Sequence, residues 1–458
     1  MFLFNSEIKG KIVQAFTTII VNLLMISDGM HYSWSSSVTP QLQLNSTDLN
    51  HPLTNSDVTL LETIYLIGGL TALPFMMYFP DKFGRKNTIF GAILSSFISW
   101  SLIAIYPDIK TFCVSRFLAG MSADTGYVSI PMYISEISDK NIRGALNGLT
   151  YIQLTIGVLI IMTIGPFISV NKSALIGVFI NLFALISFIF IRESPYFYLK
   201  RQQRNKAEES LKILRCSENV KIELDELEEA VRRQEKEKGR FMDLISSRSN
   251  RKALILVVIV FCLVNISGVP IIFMNVNTIL KETSDHFFPS EYGAILFSST
   301  LLIVGIIATL FVDKIGRKKL LIFSGISTSA TLIVLATYSL LQYLESDWAK
   351  THNWIPFICI ILYAVGMRSG LGIVPFILNG ELFPMSVKSK GMTVADCFYL
   401  ISGIICVVFY RELKESYGMY IPIYFLGCFT LIITLIVSVK LPETKGKTLE
   451  EIQIMLLK

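Results

Sequence analysis

Long apolar segments, separated by short polar ones, run along almost the whole chain. A helix needs about 20 mostly apolar residues to cross the hydrocarbon core of a bilayer, and twelve segments of that kind occur. They predict an all-α membrane protein with spanning helices over residues 11–31, 57–79, 88–106, 111–135, 146–168, 173–191, 252–275, 292–312, 319–343, 354–379, 391–410 and 419–439. Glycine, proline and charged residues interrupt the fourth and tenth segments.

Three polar landmarks recur in the second part of the chain, in the same order and at nearly the same spacing. The first is Asp81-Lys82-Phe83-Gly84-Arg85-Lys86, which recurs as Asp313-Lys314-Ile315-Gly316-Arg317-Lys318. The second is Glu136 followed by Arg143, which recurs as Glu381 followed by Lys388. The third is Glu193-Ser194, which recurs as Glu443-Thr444. Because such an ordered repeat is difficult to obtain by chance, it indicates two related six-helix bundles, over residues 1–195 and 252–441. Residues 196–251 are highly charged with apolar positions at helical spacing, which predicts a cytoplasmic helical insert acting as a spacer or as a latch. Residues 442–458 form a cytoplasmic tail.

Composition excludes an ordinary soluble protein. Of 458 residues, 52% are hydrophobic and only 17% are charged, whereas soluble chains carry about 25% charged residues. The seven cysteines and four histidines show no metal-ligand spacing, so we expect no metal, no cofactor and no disulfide framework. Neither a nucleophile–base set nor a phosphate-binding loop occurs, and we expect no enzymatic activity.

The distribution of the 41 lysines and arginines sets the expected orientation. With both termini in the cytoplasm, most of these residues fall on inward loops and tails, as the positive-inside rule requires. Anionic lipid then accounts for the net charge of +6 without a nucleic-acid partner. The loop at 35–56 carries the sequon Asn45-Ser46-Thr47 on the outer side, where glycosylation of Asn45 is expected. The first segment has a signal peptide as its alternative interpretation, but eleven more spans follow it.

Charged residues end the predicted helices on one membrane face in both halves. They are Asp81, Arg85, Glu136, Arg143 and Glu193 in the first half, and Asp313, Arg317, Glu381, Lys388 and Glu443 in the second. Exposed ion pairs are worth about 0.2–1 kcal/mol each, so several of them suit a cytoplasmic gate between two states of similar free energy. The alternative is that they only follow the positive-inside bias, which explains the basic residues but not the matched acids.

Several motifs together resemble the sugar porter family of the major facilitator superfamily. They are residues 81–86 and 313–318, Arg116-Phe117-Leu118-Ala119-Gly120, residues 131–136, Arg192-Glu193-Ser194-Pro195, Gly380-Glu381-Leu382-Phe383-Pro384 and residues 442–451. Within that family, Ser27-Asp28-Gly29-Met30-His31-Tyr32-Ser33-Trp34 is most similar to insect facilitated trehalose transporters. The resemblance implies two six-helix bundles, a central site at their interface, alternating access and a plasma-membrane protein, which we expect to be a monomer.

The same resemblance marks the substrate-site residues and where they differ from the family. Gln153 matches the family's sugar-contacting glutamine, whereas most of the amides of the second half are replaced, as at Val264 and Leu301. The candidate substrate-binding residues are Gln153, Asn265, Ser267, Arg368, Phe376 and Tyr399. Because the hydrogen-bonding groups differ, hexose specificity does not follow from the resemblance.

Arg368, Asp28 and Asp396 are charged residues inside predicted spans, where ionisable side chains are functional candidates. Arg368 has three possible roles: it could bind an anionic group of a substrate, pair with Asp28 or Asp396, or face a water-filled cavity. Asp28 and Asp396 are candidate proton sites. The leading hypothesis is therefore a facilitative transporter of trehalose or a hexose-like sugar. A proton-coupled sugar or organic-anion transporter and a non-transporting sugar sensor are the alternatives.

Overall fold

A computed structural model describes residues 6–43, 52–139, 141–236, 240–284, 287–384, 386–447 and 449–457. All regular structure in these ranges is helical. The helices are α1 (Ser6–Val21), α2 (Leu23–Leu42), α3 (Asn55–Met76), α4 (Phe79–Phe83), α5 (Arg85–Ile105), α6 (Ile109–Ile137), α7 (Arg143–Ile164), α8 (Val170–Phe188), α9 (Pro195–Lys200), α10 (Arg204–Arg215), α11 (Lys221–Lys236), α12 (Asp243–Ser246), α13 (Arg248–Ile266), α14 (Val269–Ser284), α15 (Ser290–Ile315), α16 (Arg317–Tyr343), α17 (Asp347–Thr351), α18 (Ile355–Ser369), α19 (Val374–Glu381), α20 (Lys388–Tyr417), α21 (Tyr420–Lys440) and α22 (Leu449–Leu457).

Eleven helical segments of the described chain are long and apolar enough to cross a membrane. Each matches one predicted span, and three of them are broken into two helices, α1–α2, α13–α14 and α18–α19. The remaining predicted span, the fourth, is α6. Its 29 residues are about 43 Å long at 1.5 Å per residue, and it packs between α3 and α5. Buried polar side chains such as Ser115, Arg116 and Ser122 make it less apolar than the other eleven.

Helices α1–α8 form the N half and α13–α21 form the C half, and α9–α12 connect them. The membrane face that carries α9–α12 is called the insert face below, and the opposite face is called the distal face. The insert has a small core of its own, which includes Leu199, Leu211 and Leu224. It packs on the N half, where Gln14 in α1 donates a hydrogen bond to the Leu214 carbonyl at 3.2 Å.

The broken helices place irregular backbone in the middle of the bundle. Gly268, between α13 and α14, has a φ of 87°, a left-handed conformation that only glycine adopts without strain. The Tyr363 hydroxyl donates to the Ser267 carbonyl at 3.0 Å at this break. Non-helical backbone at membrane depth is tolerated only inside protein or along a cavity, so these breaks mark the centre of the molecule.

Glycines let helices of the N half approach closely. A Cβ atom on Gly120 of α6 would lie 1.8 Å from the Tyr65 carbonyl oxygen of α3, and one on Gly68 would lie 2.2 Å from the Phe117 carbonyl oxygen. In membranes, small residues at helix crossings allow such backbone contact. These contacts fix the position of α3 and α6, both of which line the central cavity.

Candidate functional site

A cavity of about 80 Å³ lies between the N half and the C half. The site for one buried water takes about 10–15 Å³, so the cavity holds several waters but is small for a two-ring solute. Its polar lining comes from both halves: Tyr32, Tyr65, Asp124, Tyr127, Tyr151 and Thr155 from the N half, and Arg368 and Tyr399 from the C half. The apolar lining includes Val264, Leu301 and Phe376.

Aromatic rings form the wall of this cavity on the insert-face side. Phe376 follows the break between α18 and α19, and its ring lies 6.3 Å from that of Tyr127 and 5.3 Å from that of Tyr151. The Tyr399 ring is 6.3 Å from the Phe376 ring. Because these contacts join the two halves, Phe376 narrows the path from the cavity to the insert face.

Arg368 reaches from α18 across the interface between the halves. Its Nη2 atom donates to the Tyr151 carbonyl at 3.1 Å and to the Thr155 Oγ1 atom at 3.0 Å, and Nη1 donates to the Gly372 carbonyl at 3.3 Å. All of these acceptors are neutral oxygens, and the arginine has no ion pair with a described aspartate. The structural pair of Arg368 with Asp28 or Asp396 is therefore not formed in this conformation.

Three aspartates lie near the centre of the bundle. Asp124 of α6 lines the cavity. Asp28 of α2 is buried beside it and accepts a hydrogen bond from the Tyr65 hydroxyl at 2.5 Å, while its Oδ2 atom has no partner among the described residues. Asp396 of α20 lies 3.5 Å from the Asn379 amide. The structure thus places one of the two expected proton sites, Asp28, in hydrogen-bond contact with a cavity residue.

The other three candidate substrate residues do not line the cavity. Gln153 points toward α1, where its amide donates to the Ile19 carbonyl at 3.3 Å. Asn265 donates to the Tyr399 carbonyl at 2.6 Å and so holds a cavity residue in place. The Ser267 hydroxyl donates to the Val264 carbonyl at 2.7 Å at the helix break. Arg368, Phe376 and Tyr399 are the members of the expected set that the fold brings together.

Arg116 of α6 is fully buried rather than at the membrane surface. Its Nη1 atom donates to the His31 carbonyl at 2.6 Å, and its guanidinium lies 4.5 Å from the centre of the Tyr65 ring. Since Tyr65 also donates to Asp28, one tyrosine connects a buried arginine, a buried aspartate and the cavity. Because the Arg116 side chain is fully buried, it does not extend to the bilayer interface.

Hydrogen bonds also join the two halves on the distal side of the cavity. The backbone N–H of Asn277 in α14 donates to the Ser36 hydroxyl of α2 at 3.1 Å. Its neighbour Asn275 donates to the Glu62 carboxylate of α3 at 3.1 Å. Both contacts lie between the cavity and the distal ends of these helices. The halves are therefore joined by hydrogen bonds on the distal side of the cavity and by the ring contacts of Phe376 on the other.

The charged residues of the N half form one network on the insert face. Arg85, at the start of α5, contacts Glu136 of α6 at 2.9 Å and Asp81 of α4 at 3.2 Å. Lys200 of α9 also contacts Asp81 at 2.5 Å. These pairs join helices within the same half and tie the insert to it. They are not bonds between the two halves.

The C half repeats the central pair of this arrangement. Arg317 contacts Glu381 at 3.0 Å, and Glu381 also accepts from the Thr444 hydroxyl at 2.6 Å. The two basic residues at matched positions lie in different halves: Arg143 of the N half donates to the Ser138 carbonyl at 3.4 Å, and Lys388 of the C half lies beside Gly380. The side chain of Asp313 lies outside the described part of the chain.

Glu193 and Glu443 have the same structural role in the two halves. The carboxylate of Glu193 accepts from the backbone N–H groups of Arg85 and Lys86 at 3.1 Å, and Glu443 does so for Arg317 and Lys318 at 3.0 and 3.2 Å. Burial raises the pKa of Glu193, against the opposing effect of these backbone donors. Each glutamate thereby caps the first turn of the helix that follows a repeated charged turn.

Most of the polar cavity lining was not among the expected residues. Asp124 is an ionisable residue within the fourth predicted span, which is a signal for function that the sequence does contain. The tyrosines Tyr32, Tyr65, Tyr127 and Tyr151 carry no such signal, because a tyrosine in an apolar helix packs equally well against lipid or protein. Only the packing of the helices shows that they share one cavity.

Comparisons with known proteins agree with this architecture. A family model described as sugar (and other) transporter matches residues 5–456. The facilitated trehalose transporter Tret1 of Apis mellifera ligustica is 26% identical over 391 residues, which cover 85% of this chain and 76% of that protein. Tret1 of Polypedilum vanderplanki is 27% identical over 395 residues, with the same two coverages.

Solved structures show the same fold. The proton:xylose symporter XylE bound to 6-bromo-6-deoxy-D-glucose aligns with a TM-score of 0.76 at 18% identity, covering 97% of this chain and 100% of that one. XylE from E. coli in a partially occluded inward-open conformation aligns with a TM-score of 0.76 at 17% identity, covering 95% and 99%. At such low identity, the likeness concerns the fold alone.

Proposed function

Because the chain belongs to the sugar (and other) transporter family, we propose that it carries trehalose or a hexose-like sugar across a membrane by facilitated alternating access. The observation that carries this proposal is the cavity lined by both halves, with Arg368 and Tyr399 facing Tyr127 and Tyr151. A site at the interface of two related bundles is exposed to either side when one bundle rocks against the other.

The charged networks of the insert face support rocking by rigid halves. Since Arg85 pairs with Glu136, and Arg317 pairs with Glu381, each network holds together the helices of one half. The halves can then separate at the insert face without breaking these ion pairs. We propose that the gate residues act in this way, and that Phe376 moves away from Tyr127 and Tyr151 when the cavity opens.

The lining of the cavity suits an uncharged sugar. The CH faces of a sugar ring pack on aromatic rings, and tyrosine hydroxyls both donate and accept hydrogen bonds. Five tyrosines line the cavity. Their hydroxyls provide hydrogen-bonding groups in place of the amides that this chain lacks in the C half. Because the cavity measures about 80 Å³, it must widen before trehalose enters.

We expect purified protein in liposomes to take up one of three labelled sugars, trehalose, glucose or fructose, with saturable kinetics. A facilitator moves its substrate down the concentration gradient, so an inward proton gradient should leave the initial rate unchanged. Empty liposomes and an excess of unlabelled sugar are the controls. Absence of uptake by folded, inserted protein would contradict sugar transport and favour an anionic substrate or a sensor.

Proton-coupled transport is the second candidate, and the buried carboxylate of Asp28 favours it. One of its oxygens accepts from Tyr65 and the other has no partner among the described residues, so a proton can be held there. In the same liposomes, coupling requires that an inward proton gradient drive accumulation and that Asp28→Asn abolish it. The same measurement on Asp396→Asn shows whether the second expected proton site is needed for this accumulation.

Arg368→Gln is expected to reduce kcat/KM for the transported sugar by at least about tenfold. The arginine lines the cavity, and a charge-assisted hydrogen bond contributes about 1.5–3 kcal/mol. Arg368→Lys keeps the charge without the planar guanidinium, so its activity should be intermediate. Arg251→Gln, at the exposed start of α13, is the control. An unchanged kcat/KM in Arg368→Gln would show that this arginine has no role in transport.

We further propose a plasma-membrane protein with both termini in the cytoplasm, acting as a monomer. The bias of lysine and arginine toward the insert face supports this orientation. Asn45, the expected glycosylation site, lies outside the described residues. In the structure α2 continues to Leu42, so the connection to α3 is shorter than the predicted 35–56 loop. A shift in electrophoretic mobility after glycosidase treatment that is absent in Asn45→Gln would place this connection outside the cell.

A further inference from the structure

A second, larger pocket opens on the insert face of the N half, away from the central cavity. Its volume is about 780 Å³. The walls come from α4, the start of α5, the segment that follows α8, and helices α9 and α10. The charged lining consists of Lys82, Lys86, Arg192, Arg201, Lys206 and Glu193. None of these lysines is among the residues that line the central cavity.

The charges of this pocket are strongly unbalanced. Glu193 is engaged by the backbone N–H groups of Arg85, Lys86 and Ser194. Arg192 has an acidic partner, Glu209, at 3.6 Å. Within the described ranges, the other four cations, Lys82, Lys86, Arg201 and Lys206, form no ion pair at contact distance, although Glu193 attracts Lys86 from farther away. Four unpaired cations around one concave space would bind an anion favourably.

Arg201 makes two contacts at the edge of the pocket. Its guanidinium donates to the Lys82 carbonyl and lies 4.9 Å from the centre of the Phe197 ring. Its planar fork of donors suits the oxygens of a phosphate group. These contacts place the guanidinium beside the other cations of the pocket lining.

One wall of the pocket is apolar and exposed. Ile189 and Phe190 are 71% and 80% exposed, and Phe83 is 49% exposed. These residues adjoin the end of α8 and the start of α5, where spanning helices leave the hydrocarbon. Aromatic and aliphatic side chains there contact acyl chains, and cations at the same level meet phosphates. The combination fits an amphiphile better than a soluble anion.

We infer that this pocket binds the phosphate headgroup of an anionic phospholipid from the leaflet at the insert face. Basic pockets between spanning helices on the cytoplasmic side are known binding places for such headgroups. The lipid phosphate would lie among Lys86, Arg201 and Lys206, with its acyl chains along Phe190. Bound there, it would connect the insert helices α9 and α10 to the start of α5.

Binding of fluorescent short-chain phosphatidic acid to the purified full-length protein in detergent micelles tests this inference. Fluorescence anisotropy should show saturable binding that unlabelled phosphatidic acid competes and phosphatidylcholine does not. Each lysine near the lipid phosphates strengthens binding of an anionic lipid several-fold. The double variant Lys86→Gln/Lys206→Gln should therefore raise the Kd about 30-fold.

A matched variant, Lys221→Gln/Arg232→Gln, removes the same charge from the exposed face of α11. It should change the Kd by less than about twofold, provided that both variants keep the wild-type Tm. Equal weakening by the two pairs would overturn the inference, since it would reveal only a general attraction to anions. Binding of soluble inositol trisphosphate without binding of phosphatidic acid would also overturn it, because the pocket would then serve a free phosphate.

Discussion

Arg85→Gln is expected to lower the free energy of unfolding by about 3–5 kcal/mol, the range for breaking a buried ion pair. The arginine side chain is 3% exposed and that of its partner Glu136 is 12% exposed. The substitution leaves this carboxylate buried without its cation and also removes a donor to the Pro80 carbonyl. Uptake should fall at least about tenfold, because the helices of the N half would no longer move as one body.

Arg317→Gln is the matched control, because it removes the equivalent arginine of the C half. Its partner Glu381 is 27% exposed and keeps a hydrogen bond from Thr444. The expected loss is therefore smaller, about 1–3 kcal/mol. Thermal unfolding in detergent and uptake into liposomes measure both quantities.

A third variant separates burial of charge from other effects of the substitution. Arg85→Gln combined with Glu136→Gln removes both charges and should recover part of the stability lost in Arg85→Gln alone. Equal losses from Arg85→Gln and Arg317→Gln, without recovery in the double variant, would show that the buried pair with Glu136 does not set the stability of the N half.

Gly120→Ala is expected to have the second large effect. Its added Cβ atom would meet the Tyr65 carbonyl oxygen at 1.8 Å, which no side-chain rotation relieves, so α3 and α6 must separate. Overpacking costs about 1–3 kcal/mol and occasionally more, and we expect the Tm to fall by on the order of 5 °C. Since Tyr65 lines the cavity and bonds to Asp28, uptake should fall as well.

Gly91→Ala is the control for the intrinsic effect of replacing a helical glycine. A Cβ atom on Gly91 of α5 would have nothing within 4 Å, so the change gains helix propensity without a clash. The Tm should stay the same or rise slightly. If Gly120→Ala behaved like Gly91→Ala, the close crossing of α3 and α6 would not be needed for the fold.

Sequence patterns predicted the spanning helices well but gave a weaker indication for one of them. The fourth predicted span became α6, which lies outside the eleven most apolar helices because buried residues such as Arg116 and Ser122 interrupt its hydropathy. Their partners, the His31 carbonyl and the Ala92 carbonyl, are far away in sequence. The sequence pattern therefore shows that polar residues lie inside the span, but it does not show which groups accept their hydrogen bonds.

The charged motifs illustrate a second difference between pattern and structure. Their repetition predicted ion pairs on one face, and Arg85–Glu136 and Arg317–Glu381 are such pairs. Both pairs join helices of the same half. Which acid a given arginine meets depends on the rotation of each helix, and the repeat does not encode that rotation.

The sequence by itself determined that the chain is an all-helical membrane protein and located its long apolar helices, and it predicted the duplication and the face on which charges collect. It could do so because the bilayer requires long apolar runs and leaves charged residues at its surfaces. Only the tertiary structure decided that Arg368 contacts Thr155 rather than an aspartate, and that four tyrosines of the N half share a cavity with Tyr399. Helices that are apolar all round show no preferred face in their sequence, so packing alone selects the residues that meet at the centre.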